Sequence, residues 1–420
     1  NRQAVELPLN GRNALSLFYL VAGTNPFDRA QTSQQQRGGI DGLAPHTNNT
    51  KVEGVLASRS SVDNSPSDPN VPVPQEAVGE YRITTSGALA EAGRGSGAQI
   101  SVSLKSGTNQ LHGSLFEFNR NPVYNANDFF NNRAGVKRPD VKRHQFGGSI
   151  GGPIIKNRTF FFFTIEGDRQ KLNLIENRFV YTAPVRDGIF RYNTTGANTT
   201  AVVDARGNPL VPVSTINLFT VDPSRQGRDT LFVPKILQVM PQPNNYEIGD
   251  GLNVAGYRYN ASNPNNAYQY LIKVDHKLSE RHQLSASFSY LKNTRLTSRL
   301  ITGDPAEEAI LTKRGGALRL VSTFTSKLVN ELSIGSNYQN PIFNTLKGGE
   351  TPEGNIQLTG LGTDNGLFGT RNGNIFINRG VQGDPNTNLG FSDNLTWIRG
   401  NHSLSFGGDL WFQTENIYFN

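Results

Sequence analysis

The chain has 420 residues, 41 basic against 34 acidic for a formal net charge of +7, and no cysteine. This excludes a disulfide framework and a thiolate metal site, and a mean hydropathy of −0.46 without any apolar run near the ~18 residues a spanning helix needs excludes a helical membrane protein. A membrane β-barrel is not excluded, because half of each of its strands faces a wet lumen and its loops are polar.

The chain opens on Asn1-Arg2-Gln3, without an initiator Met or the basic-apolar-small order of a signal peptide. Asn13–Val21 sets Ala14, Leu15, Leu17, Phe18 and Val21 at helical spacing, with Gly23 at the expected stop. Strand-like runs follow at Thr50–Leu56, Tyr81–Thr85 and Gln99–Lys105, and the polar stretch Ala57–Pro74 reads as loop. Residues 1–110 are therefore expected to form a small α/β domain.

From Leu111 onward, nine strands are predicted, starting near Leu111, His144, Thr159, Ala267, His282, Thr312, Leu328, Asn388 and His402. Their links alternate in length. Tight ones sit at Lys156-Asn157-Arg158, Ser279-Glu280-Arg281, Thr325-Ser326-Lys327 and Arg399-Gly400-Asn401; long ones run through 120–143, 183–266, 293–311 and 340–387. In an antiparallel meander consecutive links fall on opposite ends, so all tight turns belong to one rim and all long loops to the other. That is the plan of an outer-membrane barrel, with 156–158 and 399–401 periplasmic and 183–266 and 340–387 extracellular. Each strand alternates: Leu284, Ala286, Phe288 and Tyr290 oppose Gln283, Ser285, Ser287 and Ser289. Leu404 and Phe406 oppose Ser403 and Ser405 in the same way, and the hydroxyl faces are excluded from hydrocarbon. Phe160–Phe163 reads as an aromatic girdle. Nine strands are too few to close around a plug. The chain is therefore read as a fragment missing both ends, expected to form an open, curved sheet with unpaired edges at Leu111–Asn119 and His402–Gln413.

Other chemistries find little footing. The densest basic cluster, Arg133, Lys137, Arg138, Lys142 and Arg143, lacks the interleaved aromatics of a nucleic-acid module and suits a solvated loop touching anionic lipid headgroups. Gly93, Gly95 and Gly97 precede a strand rather than a helix, which argues against a dinucleotide site. The six histidines, at 46, 112, 144, 276, 282 and 402, show no zinc-protease spacing, although His276 and His282 could meet across a hairpin. No nucleophile elbow accompanies the serines. No enzyme activity and no cofactor are expected.

A resemblance then ties the segments together. Leu7-Pro8-Leu9-Asn10-Gly11-Arg12, Gly93–Gly97, and Lys105-Ser106-Gly107-Thr108-Asn109 leading into His112-Gly113-Ser114 resemble the plug and plug-to-barrel junction of TonB-dependent outer-membrane receptors, Oar-like branch. Phe146–Pro153 with Thr159–Phe163, Val274–Ser279, and Trp397–Gly408 resemble that branch's barrel hairpins. The resemblance implies a plug over 1–110 and the first part of a barrel over 111–420. It also implies active uptake of a bulky, scarce solute across the bacterial outer membrane, driven by a TonB-type inner-membrane complex that grips a segment preceding the plug. Where the family shows Asp-Gly in the middle of the plug, this chain has Glu53-Gly54. Glu53, Arg59, Asp63 and Asp68 are the candidate ligand contacts on that loop, and Glu53, Asp63 and Asp68 could together hold a cation. The alternative function is a secreted or surface-anchored β-rich adhesion or glycan-binding protein. Its long Asn- and Gly-rich loops would then bind glycans.

Overall fold

In a computed structural model the structure describes residues 12–25, 39–40, 43, 47–58, 69–85, 95–195, 202–221, 240–297, 307–345 and 381–419. Two sheets organise it. The smaller is built from β1 (Asn49–Val52), β2 (Val55–Leu56), β3 (Val78–Thr84) and β4 (Gln99–Leu104) in the order β2-β1-β4-β3, with β1 and β4 parallel. The run expected as one strand over Thr50–Leu56 is thus a hairpin. Glu53 and Gly54 both take left-handed backbone angles, φ 50° and 79°, and turn the chain back on itself. The predicted helix is a 3-10 helix, Ala14–Leu20, whose first turn is capped by the Asn13 side chain accepting from the Leu15 N–H at 3.0 Å. Its Leu15 and Phe18 are buried against Val52, Val78, Ile100 and Val102. Tyr81 closes this core by donating to the Leu15 carbonyl at 3.3 Å, and burial pushes its phenol pKa well up.

The larger sheet is an antiparallel meander. Apart from two two-residue strands, Gln382–Gly383 and Tyr418–Phe419, its strands are β5 (His112–Arg120), β6 (Val141–Ile155), β7 (Thr159–Tyr181), β8 (Val254–Ser262), β9 (Asn265–Ser279), β10 (His282–Thr297), β11 (Glu307–Thr325), β12 (Leu328–Thr345), β13 (Asn386–Arg399) and β14 (His402–Glu415). Nine of them run side by side in the order β14-β13-β12-β11-β10-β9-β7-β6-β5. The nine expected strands are therefore present. Four begin earlier than expected, at Val141, Asn265, Glu307 and Asn386. At Lys142-Arg143, Asn265-Asn266, Glu307-Glu308 and Asn386-Thr387 the pairing continues in polar residues beyond the apolar alternation, since a tilted strand needs only about 9–11 residues to cross hydrocarbon. The long link 183–266 also holds β8, which pairs with the far half of β7 over Val254↔Tyr181 to Ser262↔Asn173 and runs on into β9.

Register places the four tight turns on one rim: Ile155 faces Thr159, Ser279 faces His282, Thr325 faces Leu328 and Arg399 faces His402, and neighbouring pairs such as His276↔Thr159 and His282↔Ser322 link them across the sheet. Among the described residues β5 and β14 pair on one side only, so the sheet is open at the two expected edges.

The two faces differ in chemistry. One carries Ile272, Phe288, Leu318, Leu404 and Phe406, each more than a third exposed. The other carries the half-buried Ser287 and the buried Ser289, Lys313, Asn337 and Asn388, and faces the small sheet. An apolar side turned outward beside a polar side turned inward is the inverse of a soluble domain, as a lipid-embedded wall requires. The Phe160–Phe163 tetrad is split by the same alternation: Phe161 and Phe163 share the outward face, while Phe162 is 2% exposed and joins the core of the small sheet. A girdle of four consecutive rings is therefore not formed, because successive side chains leave a strand on opposite faces.

Candidate functional site: the seat of the small sheet in the wall

The small sheet meets the wall through a few polar anchors. The Glu53-Gly54 turn points its carboxylate into the interface. Glu53 Oε1 accepts from the Leu104 N–H at 2.5 Å and its Oε2 accepts from Lys273 Nζ at 3.0 Å; Lys273 also donates to the Leu104 carbonyl at 3.3 Å. Both side chains are almost sealed, 4% and 7% exposed. Asp275, 3.9 Å from the same ammonium, accepts from Ser285 at 2.6 Å. This is a buried ion pair whose oxygens and protons are mostly satisfied, the condition under which such a pair is tolerated.

Further anchors use backbone carbonyls. Asn337 Nδ2 donates to the Leu56 carbonyl at 2.7 Å, with Asn388 donating to Asn337 Oδ1 at 2.9 Å behind it, and Lys313 donates to the Pro69 carbonyl at 3.0 Å. The wall has glycine where the small sheet presses closest. A Cβ at Gly335 would lie 2.5 Å from both Val55 methyls.

Arg12, from the first resemblance motif, joins the small sheet to β5 and β7. It bonds Glu76 at 2.9 Å, its Nε lies 3.3 Å from Glu166, and its guanidinium stacks 3.8 Å over the Phe116 ring. Between these groups lies a crevice of about 280 Å³, lined by Arg12, Pro69, Val73, Glu166, Gln269 and Lys313.

The junction motif forms a clamp of its own. Asn109 and Asn157 exchange two hydrogen bonds, Asn109 Nδ2 to Asn157 Oδ1 at 2.6 Å and Asn157 N–H to Asn109 Oδ1 at 2.8 Å, which hold the chain against the tight β6–β7 turn. Thr108 caps the Gln110 N–H at 3.3 Å, and His112 Nδ1 lies 3.0 Å from the Gln110 carbonyl. Gly107 lies flat on the wall, where a Cβ would come within 2.2 Å of the Phe161 carbonyl oxygen, and within β5 a Cβ at Gly113 would come within 2.4 Å of the Ser149 carbonyl oxygen. Gly107→Ala should therefore lift the junction off the wall, at a cost of about 1–3 kcal/mol. Protease cleavage at the junction of the full-length protein should become faster, and an unchanged rate would contradict the close approach.

Of the sequence-predicted site residues, the structure brings Arg12 and Glu53 to the interface and Gly107, Thr108, Asn109, His112 and Gly113 to the junction. Leu7, Pro8, Leu9, Asn10, Gly11, Arg59, Asp63 and Asp68 lie outside the described residues. His276 and His282 do not meet: His276 lies 2.8 Å from Thr159 and His282 2.9 Å from Ser322, on different neighbouring strands. Among the described residues no group of His, Asp and Glu could hold a metal ion. Lys273, Lys313 and Asn337 were not singled out by sequence reasoning. Each falls at a lumen-parity position of its strand, but parity alone does not distinguish a side chain solvated in the lumen from one seated against the small sheet.

Residues 103–420 match the outer membrane beta barrel domain. The chain belongs to that family. As an outer membrane β-barrel it lies in the bacterial outer membrane, and its outward apolar face is the lipid face. The TonB-dependent transporter Oar of Myxococcus xanthus is 28% identical over 139 residues, 31% of this chain and 11% of the relative. In fold the chain is similar to the outer membrane transporter YddB of Escherichia coli (TM-score 0.53, 14% identity, 90% of this chain), the ferric enterobactin receptor PfeA (0.50, 12%, 95%) and the copper transporter OprC (0.50, 9%, 96%). It spans 42%, 47% and 44% of those chains.

Proposed function

We propose that this outer membrane β-barrel is the plug-bearing part of a TonB-dependent receptor, residues 1–110 being the plug and 111–420 the first part of the barrel, and that the receptor takes up a bulky, scarce solute across the outer membrane. The observation that carries the reading is the seat itself. A small sheet, to whose core the wall gives only Phe162 and Leu271 among the described residues, rests on the inward face of a lipid-facing wall through discrete ion pairs and hydrogen bonds. Such contacts exchange with water at modest net cost, so a pull from an energised inner-membrane partner can release them in turn. A large apolar interface would not part so readily. The likeness to Oar and to the three transporters supports uptake. Proteins of this fold are named for ferric enterobactin and for copper, so the choice of solute falls to the long loops and the crevice beside Arg12 rather than to the fold. The adhesion reading gains nothing here, because a soluble sandwich would bury the apolar face that this sheet leaves bare.

A tether tests the reading. A Cβ at Gly315 would lie 3.3 Å from that of Val71, near the span of a disulfide, roughly 3.5–4.5 Å, and the chain has no cysteine to compete. In the full-length receptor, oxidised V71C/G315C should halt receptor-dependent growth, and reduction should restore it. Undiminished growth with the tether fully formed would overturn plug movement.

A further inference from the structure

The crevice beside Arg12 lies on the long-loop side of the seat. Along β7 the lumen positions climb from Phe162, which joins the core of the small sheet, through Thr164 to Glu166 and Asp168, away from the tight turn at Thr159. Glu166 lies opposite Gln269, with Leu291 and Lys313 next in that row; Asp168 lies between Gln145 and Ala267, with Asn293 beyond. Leu15, Val71, Pro72 and Val73 give the crevice an apolar side. Its ionic groups are balanced. The lining holds two acids, Glu166 and Asp168, and two cations, Arg12 and Lys313. Each is engaged: Arg12 lies between Glu76 and Glu166 at 2.9 and 3.3 Å, Arg143 bonds Asp168 at 2.5 Å, and Lys313 donates to the Pro69 carbonyl at 3.0 Å. Hydrogen-bonding capacity remains. Glu166 takes Gln269 Nε2 at 3.2 Å and Arg12, two of the roughly four lone-pair sites of a carboxylate, and the side-chain oxygen of Asn293 has no donor among the described residues.

From this arrangement we infer that the crevice seats one ring of a neutral oligosaccharide. The inference rests on the uptake reading and names its solute class. A sugar hydroxyl is donor and acceptor at a single oxygen, so neighbouring hydroxyls can bridge the carboxylates, amides and guanidinium of a matched lining. An anionic chelate or a cationic peptide would have to be desolvated against charges that already have partners. The C–H face of the ring fits the apolar side. At about 280 Å³, the crevice sits at the lower limit of the roughly 300–1,000 Å³ of sites that enclose drug-sized ligands. It therefore takes one ring, and the rest of a bulky solute extends towards the long-loop rim.

The test is calorimetry on the purified full-length receptor in detergent, with a panel of neutral hexose, pentose and deoxyhexose oligosaccharides and their sulfated or uronic counterparts. At least one neutral member should bind, and its acidic counterpart should bind roughly tenfold more weakly, because its charge meets no free counter-charge. Glu166→Gln should weaken the neutral sugar roughly tenfold, and Asn293→Leu roughly fivefold. Asn293→Leu covers the case in which Glu166→Gln unseats Arg12: its oxygen has no donor to lose, so heat-modifiable gel migration should be unchanged. Lys277→Gln, near the tight-turn rim, should bind as the wild type does. No neutral member bound, equal affinity for the acidic counterpart, or wild-type affinity in both lining variants would each overturn the subsite. Binding needs no inner-membrane partner. A sugar that binds but is not taken up by cells carrying the receptor would therefore overturn the uptake reading, whereas uptake of another solute with no sugar bound would overturn the subsite alone.

Discussion

Replacing Lys273 by Met should unseat the small sheet, at a cost of about 3–5 kcal/mol, because it leaves the Glu53 carboxylate sealed in the interface without its counter-charge. The size follows from burial. With 4% of its side chain exposed, Glu53 cannot exchange the lost ammonium for water, and Asp275, 3.9 Å from the same ammonium, loses a neighbour too. Glu53→Gln combined with Lys273→Met should recover most of the loss, since a neutral amide can still accept from Leu104 N–H. The Lys51–Asp409 pair, with side chains 17% and 22% exposed, makes the contrast. Its removal should cost at most about 1 kcal/mol, as exposed pairs do. Proteolysis of the small sheet along a urea series, in the full-length protein, reads all three. A double variant no more stable than the single would show that the pair does not hold the small sheet.

The second large effect belongs to the wall. Phe288, 41% exposed, points outward between Ile272 and Gly316, whereas its neighbour Ser287 points to the lumen opposite Lys273 and Ala317. Phe288→Arg should destabilise the barrel by about 2–4 kcal/mol, the cost of a guanidinium near the bilayer midplane, and Ser287→Arg should cost well under that because lumen water can solvate it. Reversible unfolding in lipid vesicles measures both. A reversed ranking would turn the sheet inside out.

How much of this was visible beforehand depends on how local the cause is. The strands of the wall were legible because a period-two pattern is written in adjacent residues, and the rims were legible because link length alternates along the chain. Lys142-Arg143 and Glu307-Glu308 do not read as strand because there the pairing is dictated by the neighbouring strand, not by an apolar face. Glu53 shows the other limit. In sequence it reads as a loop acid free to meet a ligand, and its role as an anchor appears only when β9, 220 positions later, brings Lys273 to it. We therefore propose the latch, in place of solute contact, as the work of Glu53. Arg12 was legible as a motif residue, but its partners Glu76, Glu166 and Phe116 lie on three separate elements that only the fold assembles.

The wall is expected to span the outer membrane with long loops outside and tight turns within, and site-specific labelling tests this topology most directly. An epitope inserted at Gly207, in the turn closed by the Gly207 N–H donating to the Asp204 carbonyl at 3.0 Å, should be labelled by antibody on intact cells. The same epitope at Gly400, in the tight β13–β14 turn with φ 61°, should be labelled only after the outer membrane is permeabilised. Equal labelling of both sites on intact cells would contradict it.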